Sequence, residues 1–280
     1  MAYTVIMLTN EISDSLIHLA EKYETSAFLE KDPSQFMHRY GARRDQEVVA
    51  FLASSMSFGQ RRQILSHVET VLKSAGDRPS DWIVGKGYKK LFVNGDNSFY
   101  RMYTHNDFLV FFDTLRSFLL ESDTIGNHFK KLYLSNMETV IDTEHNTKSN
   151  ATDKNSGYLS SLICTSFPEN CHLIPHTKGT AAKRVNMFLR WMVRDNSPVD
   201  LGLWKDWYHK KDLLIPLDTH VMQEAARLGL FETTKNGNIP SASMKTDIQL
   251  TGLMNRVFPG DPCKADFALF GIGVDKERSP

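Results

Sequence analysis

LLIPLDTHVMQEAARLGL, Leu213–Leu230, holds two patterns back to back. An apolar run (Leu213, Leu214, Ile215, Pro216, Leu217) delivers one carboxylate, Asp218, to the start of a stretch that reads as a helix. Aspartate at a helix start is a routine cap, because its carboxylate accepts from the free N–H groups of the first turn. The same position also suits an acid that does chemistry, and the two roles are compatible.

Working outward, most of the chain carries helical spacing. Glu11 to Tyr23 places Ile12, Leu16 and Leu19 on one face with Ile17 and Ala20 beside them. DQEVVAFLASSM, from Asp45, has the pattern of a buried helix with Asp45 as its cap. RRQILSHVETVLKSAG follows, with Ile64, Val68, Val71 and Leu72 on one face and Gly76 at its end. HNDFLVFFDTLRSFLLES, AAKRVNMFLRWMVRD and SASMKTDIQLTGLMNRVF are further helices, the last capped by Ser241 or Ser243. In PGDPCKADFALFGIGV, Asp261 is a cap, Pro262 the first helical residue, and Gly271 and Gly273 the end. Alternating strand patterns are scarce. The predicted class is all-α.

Residues 143–157, TEHNTKSNATDKNSG, contain one apolar side chain, Ala151, and are expected to form a surface loop or insertion. The 280 residues are 41% hydrophobic and 24% charged, with a net charge of zero. That balance points neither to nucleic acid nor to a membrane as a bulk property, although DNA binding depends on local surface. Three cysteines, Cys164, Cys171 and Cys263, argue for a reducing compartment. The first residues lack a signal-peptide pattern, so a cytoplasmic location and no membrane partner are expected. Cys164, Cys171, His172 and His176 fit no standard zinc-finger spacing. Trp191, Trp204 and Trp207 read as packing residues.

His176 to Arg194 holds Lys178, Lys183, Arg184, Arg190 and Arg194 and no acid, a local excess of five positive charges. A charge run of this kind is usually a solvated helix face. Gly179 and Thr180, just before the helix, make a phosphate site at its N-terminus an alternative. Asp218 follows Lys183 by thirty-five residues. A desolvated lysine in a cationic site can act as a nucleophile, and a facing carboxylate can take its proton or steady a sugar cation. The pair suits cleavage of an N-glycosidic bond.

The order of these segments resembles the helix–hairpin–helix DNA glycosylase superfamily. IPHTKGTAAKRVNMFL is similar to that family's L-P-G-V-G-x-K-x-A-N-x-x-L at Pro175, Lys183, Asn186 and Leu189, and LDTHVMQEAARLGL to its V-D-T-H-V…R-L-G-L. The likeness is to an uncharacterised bacterial branch with features of archaeal 8-oxoguanine enzymes. It covers roughly residues 30–120 weakly and 172–275 better. It implies a two-lobed helical fold with a cleft, one lobe over 26–199 with a hairpin near 172–184, the other over 1–25 and 200–280. It implies a glycosylase with AP-lyase activity acting as a monomer on duplex DNA bearing a damaged base, an oxidised purine such as 8-oxoguanine. Asp218 would be the catalytic carboxylate and Lys183 the Schiff-base nucleophile. Lys178, Gly179, Thr180 and Arg184 would meet DNA phosphate. Met56, Ser57, Phe58 and Gln60 would fill the gap left by the extruded base, and Asp266 and Phe270 would hold that base. HTKGT replaces the family's Gly-Val-Gly turn, which makes Lys178 a rival nucleophile. The cysteine-rich loop that binds an iron–sulfur cluster in relatives is missing, so no cluster is expected. Plainer readings stand beside these: Asp218 as cap, Lys183 as surface lysine, Phe270 as core, Asp266 as a helix-surface acid, 56–60 as a loop. A catalytically idle DNA- or RNA-binding protein and a monofunctional glycosylase using water are the alternatives.

Overall fold

The computed structural model describes residues 8–146, 157–175, 179–231 and 239–278. It is mostly helical, as expected. In chain order the helices are α1 (Asn10–Tyr23), α2 (Arg43–Ser55), α3 (Arg61–Ala75), α4 (Pro79–Val84), α5 (Tyr88–Leu91), α6 (His105–Ser122), α7 (Ile125–Asn146), α8 (Leu159–Thr165), α9 (Lys183–Val193), α10 (Thr219–Arg227), α11 (Met244–Val257) and α12 (Ala265–Arg278). Between α5 and α6, β1 (Ser98–Tyr100) pairs antiparallel with β2 (Tyr103–Thr104). No helix among the described residues is long and apolar enough to cross a membrane.

The chain divides into two compact units, 31–176 and 1–30 with 177–280. The sequence reading drew its line at 25/26 and 199/200. In the first unit α2 is the central element, because VVAFLA is apolar on every face and Asp45 and all of Glu47–Ser55 are buried. Phe51 of α2 packs on Phe111 of α6, Phe129 of α7 and Phe167. The two acids of α2 hold its neighbours. Asp45 accepts from the backbone N–H and hydroxyl of Ser80, 2.8 and 2.6 Å, at the start of α4. Glu47 accepts from the Gly126 N–H at the start of α7, 2.9 Å. Asp45 is therefore a cap, but of α4 and not of α2, whose own cap position is Ala42. A buried carboxylate is best satisfied by free N–H groups, and a helix start across the interface offers them.

Residues 143–146 close α7, which corrects the expectation of a loop there: extending a helix already formed costs less than starting one. Residues 147–156 lie outside the described residues.

In the second unit α12 packs against α1 and α10. Ser243 caps α11 by accepting from the Thr246 N–H, 3.3 Å. Trp191 and Trp204 are fully buried, and Trp204 meets Phe188 edge-on at 5.1 Å. Two expectations for the C-terminal segment are corrected. Gly271 and Gly273 do not end α12, which continues to Arg278. At Gly271 a Cβ would run into the Tyr23 ring of α1, so this glycine serves close helix approach. Asp261 precedes a 3₁₀ turn, Pro262–Lys264, without capping it by its side chain. Its carboxylate is taken by Arg194.

Candidate functional site

Helix α9 organises the second unit's polar interior. Lys183, Asn186, Arg190 and Arg194 are spaced by three, four and four residues, so they form one stripe along the helix. Arg190 and Arg194 are only 3% and 2% exposed. The run of positive charge is thus neither a solvated face nor a phosphate surface at these two positions. Arg194 donates to both oxygens of Asp261, 2.7 and 2.9 Å, lies 2.9 Å from Glu24, and also pairs with Asp200. Arg190 pairs with Asp200 at 3.3 Å and with Asp266, and its guanidinium sits 4.5 Å above the Phe267 ring. Such charges are tolerated inside only because each is paired and hydrogen-bonded.

At the outer end of the stripe Lys183 is the first residue of α9. Its Nζ lies 2.9 Å from Oδ2 of Asp218. The other oxygen, Oδ1, accepts from the Val221 N–H at 2.9 Å and caps α10. One carboxylate therefore caps α10 through one oxygen and pairs with Lys183 through the other. The side chains of Lys183 and Asp218 are 34% and 29% exposed, so a ligand can reach the pair. Burial pushes the Asp218 carboxyl up, but Lys183, the Val221 N–H and His220 outweigh it and hold it below the usual carboxylate range.

Why the two residues meet is visible in the backbone that delivers them. Asn186 Nδ2 donates to the Ala181 carbonyl, 2.9 Å, and to Asp247 Oδ2, 3.2 Å. Asp247 Oδ1 accepts from the Thr251 hydroxyl, 3.2 Å, whose oxygen accepts from the Ile215 N–H, 3.1 Å. This buried chain of hydrogen bonds ties the residues before Lys183 to the apolar run before Asp218. Burial raises the Asp247 carboxyl well above its ordinary value against its three hydrogen bonds. Sequence reasoning gave Asp247 and Thr251 no role. Their i, i+4 spacing on an otherwise apolar helix face was the available signal.

Asp266 is pushed up to about 6 by burial, against Arg190, with the Asp218 and Asp200 charges adding and Lys183 opposing. It is therefore not a helix-surface acid. Phe270 is half-buried and meets Phe28 edge-on at 5.3 Å. Gly179, with φ +86°, and Thr180 are exposed, and Arg184 is half-buried. Lys178 and His176 lie outside the described residues. In the other unit Met56 is fully buried, and Ser57 donates its hydroxyl to the Ala53 carbonyl, 2.7 Å, so both face inward. Phe58 and Gln60 are exposed. His172 pairs with Asp107 at 2.7 Å. A surface groove of about 550 Å³ lined by Leu120, Asp123 and Lys130 contains none of these side chains.

The chain belongs to the family described as protein of unknown function (DUF2400), whose model matches residues 32–275. This corrects the assignment to the helix–hairpin–helix glycosylases, since the family matched is not theirs. Short motifs of the L-D-T-H-V kind place an acid at a helix start, a local arrangement that does not define a family. No curated protein matches the chain, and no solved structure does.

Proposed function

We propose that this DUF2400 chain cleaves the N-glycosidic bond of a damaged base in duplex DNA, an oxidised purine, and then opens the strand as a lyase. The observation that carries the reading is the reachable contact between the Lys183 amine and the ionised Asp218 carboxylate, 2.9 Å apart. Asp218 takes the ammonium proton, and the freed lone pair attacks C1′ of the sugar. The C1′–N bond breaks, and the base leaves with the electron pair and picks up a proton. Opening of the C1′–O4′ bond gives the imine, with O4′ protonated. Loss of a C2′ proton then expels the 3′ phosphate. Extruding the base beforehand costs a few kcal/mol of stacking. Backbone N–H groups of residues 179–184, which lead into and open an α9 start that lacks a side-chain cap, suit the neighbouring phosphates.

Borohydride trapping on oligonucleotides with oxidised, deaminated and abasic sites is the test. A covalent adduct is expected, abolished by Lys183→Gln. Absence of any adduct across the panel overturns the lyase step, and free base released without an adduct gives the water-using reaction in its place. Trapping that persists in Lys183→Gln and disappears in Lys178→Gln moves the nucleophile to Lys178.

A further inference from the structure

The first unit carries a second surface whose construction points to a ligand. Phe58 stands 43% exposed on the turn between α2 and α3. The turn is pinned from the hairpin: the Tyr100 hydroxyl donates to the Phe58 carbonyl. His67 of α3 packs on Tyr100, ring centres 4.9 Å apart, and on Phe99 at 5.8 Å. Arg101 crosses the turn. Its guanidinium carbon is 4.8 Å from the Phe58 ring centre, and its Nη1 fills the space that a Cβ on Gly59 would need. Gly59, at φ +106°, is the residue that lets the chain turn there. Arg61, Arg62 and Met102 are exposed around this knob. Residues 56–68 and 97–106 contain three arginines and no acid.

We propose that this surface binds single-stranded nucleic acid, with Phe58 and Arg101 stacking on an unpaired base and Arg61 and Arg62 meeting phosphates. An aromatic ring beside a guanidinium matches a ligand with flat apolar faces and regularly spaced negative charge. A base inside a duplex has both faces covered by its neighbours, whereas an unpaired base offers one to a protruding ring. An acidic peptide would satisfy the arginines and leave Phe58 and Met102 in water. The inference does not depend on the chemistry at Lys183.

The full chain is titrated with a labelled oligothymidylate of about 16 nucleotides, the upper range of a single-strand site, and followed by fluorescence anisotropy. Binding is expected to weaken with salt. Loss of one stacking contact should raise Kd about fivefold or more in Phe58→Ala and in Arg101→Ala. Phe58→Trp should restore it, and Arg62→Ala should lower the slope of log K against log salt by about 0.7. Phe58 is exposed, so these variants fold, and unchanged far-UV dichroism checks that they do. Equal binding by wild type and Phe58→Ala overturns the inference, as does no binding by the wild type. Tighter binding of a blunt duplex, insensitive to Phe58, or of polyglutamate also overturns it. Strand binding that depends on Phe58 without borohydride trapping leaves this inference standing and removes the lyase reading. Trapping with binding indifferent to Phe58 and Arg101 does the reverse.

Discussion

Asp218 divides its labour between its oxygens, and substitution can separate the two. Asparagine caps helices about as well as aspartate but carries no charge to take a proton. Asp218→Asn should therefore melt within a few degrees of the wild type and lose borohydride trapping by about a hundredfold or more, the scale of a lost general base. A variant that melts normally and traps normally leaves Asp218 as a cap alone. The cap at Asp218 was legible in the sequence because its neighbours, an apolar run and a helix start, sit beside it. Arg190 and Arg194 were not. No acid lies between His176 and Arg194, and the partners that neutralise the two arginines come from positions 24, 200, 261 and 266. Only the fold brings those together. Arg194→Met removes one buried cation from Glu24, Asp200 and Asp261 at once. It should cost about 3–5 kcal/mol in urea unfolding, the scale for breaking one side of a buried pair. A loss under about 1 kcal/mol would mean that water reaches those carboxylates.

At the scale of elements, α6 begins and ends where its sequence pattern does, because Thr104 and Asp107 form a reciprocal capping box at its start. Local chemistry fixes that helix. α12 is governed differently. Its two glycines look like a stop signal, yet the helix runs through them because α1 packs across Gly271 and stabilises the segment from outside. Nothing local encodes the position of Tyr23. In an exposed helix, glycine to alanine gains up to about 1 kcal/mol. Here the added methyl meets a packed ring, and Gly271→Ala should instead destabilise by about 1–3 kcal/mol, the cost of overpacking. A double-mutant cycle with Tyr23→Ala should recover much of that loss, since the two side chains share one space. A stabilised Gly271→Ala would mean that α1 moves aside freely.

Over the whole molecule, a net charge of zero conceals buried carboxyls that respond to pH in opposite directions. Burial raises Asp200, Asp247 and Asp266, while the charges and hydrogen bonds around Asp218 lower it. Asp266 moves from 3.8 unfolded to about 6 folded. Between those values the folded chain holds a proton that the unfolded chain has lost. The stability this contributes is complete below about pH 4 and is lost as pH rises through about 6, a change of about 3 kcal/mol. Asp218 works the other way: its contribution is present above the ordinary carboxyl range and is lost as pH falls. Asparagine at 266 imitates the protonated acid at every pH. Urea midpoints taken at about pH 5, 6 and 7 should therefore shift in favour of Asp266→Asn, relative to wild type, as pH rises. Midpoints that stay parallel across this window would mean that Arg190 keeps Asp266 ionised throughout, and that the charge beside Lys183 does not change near neutrality.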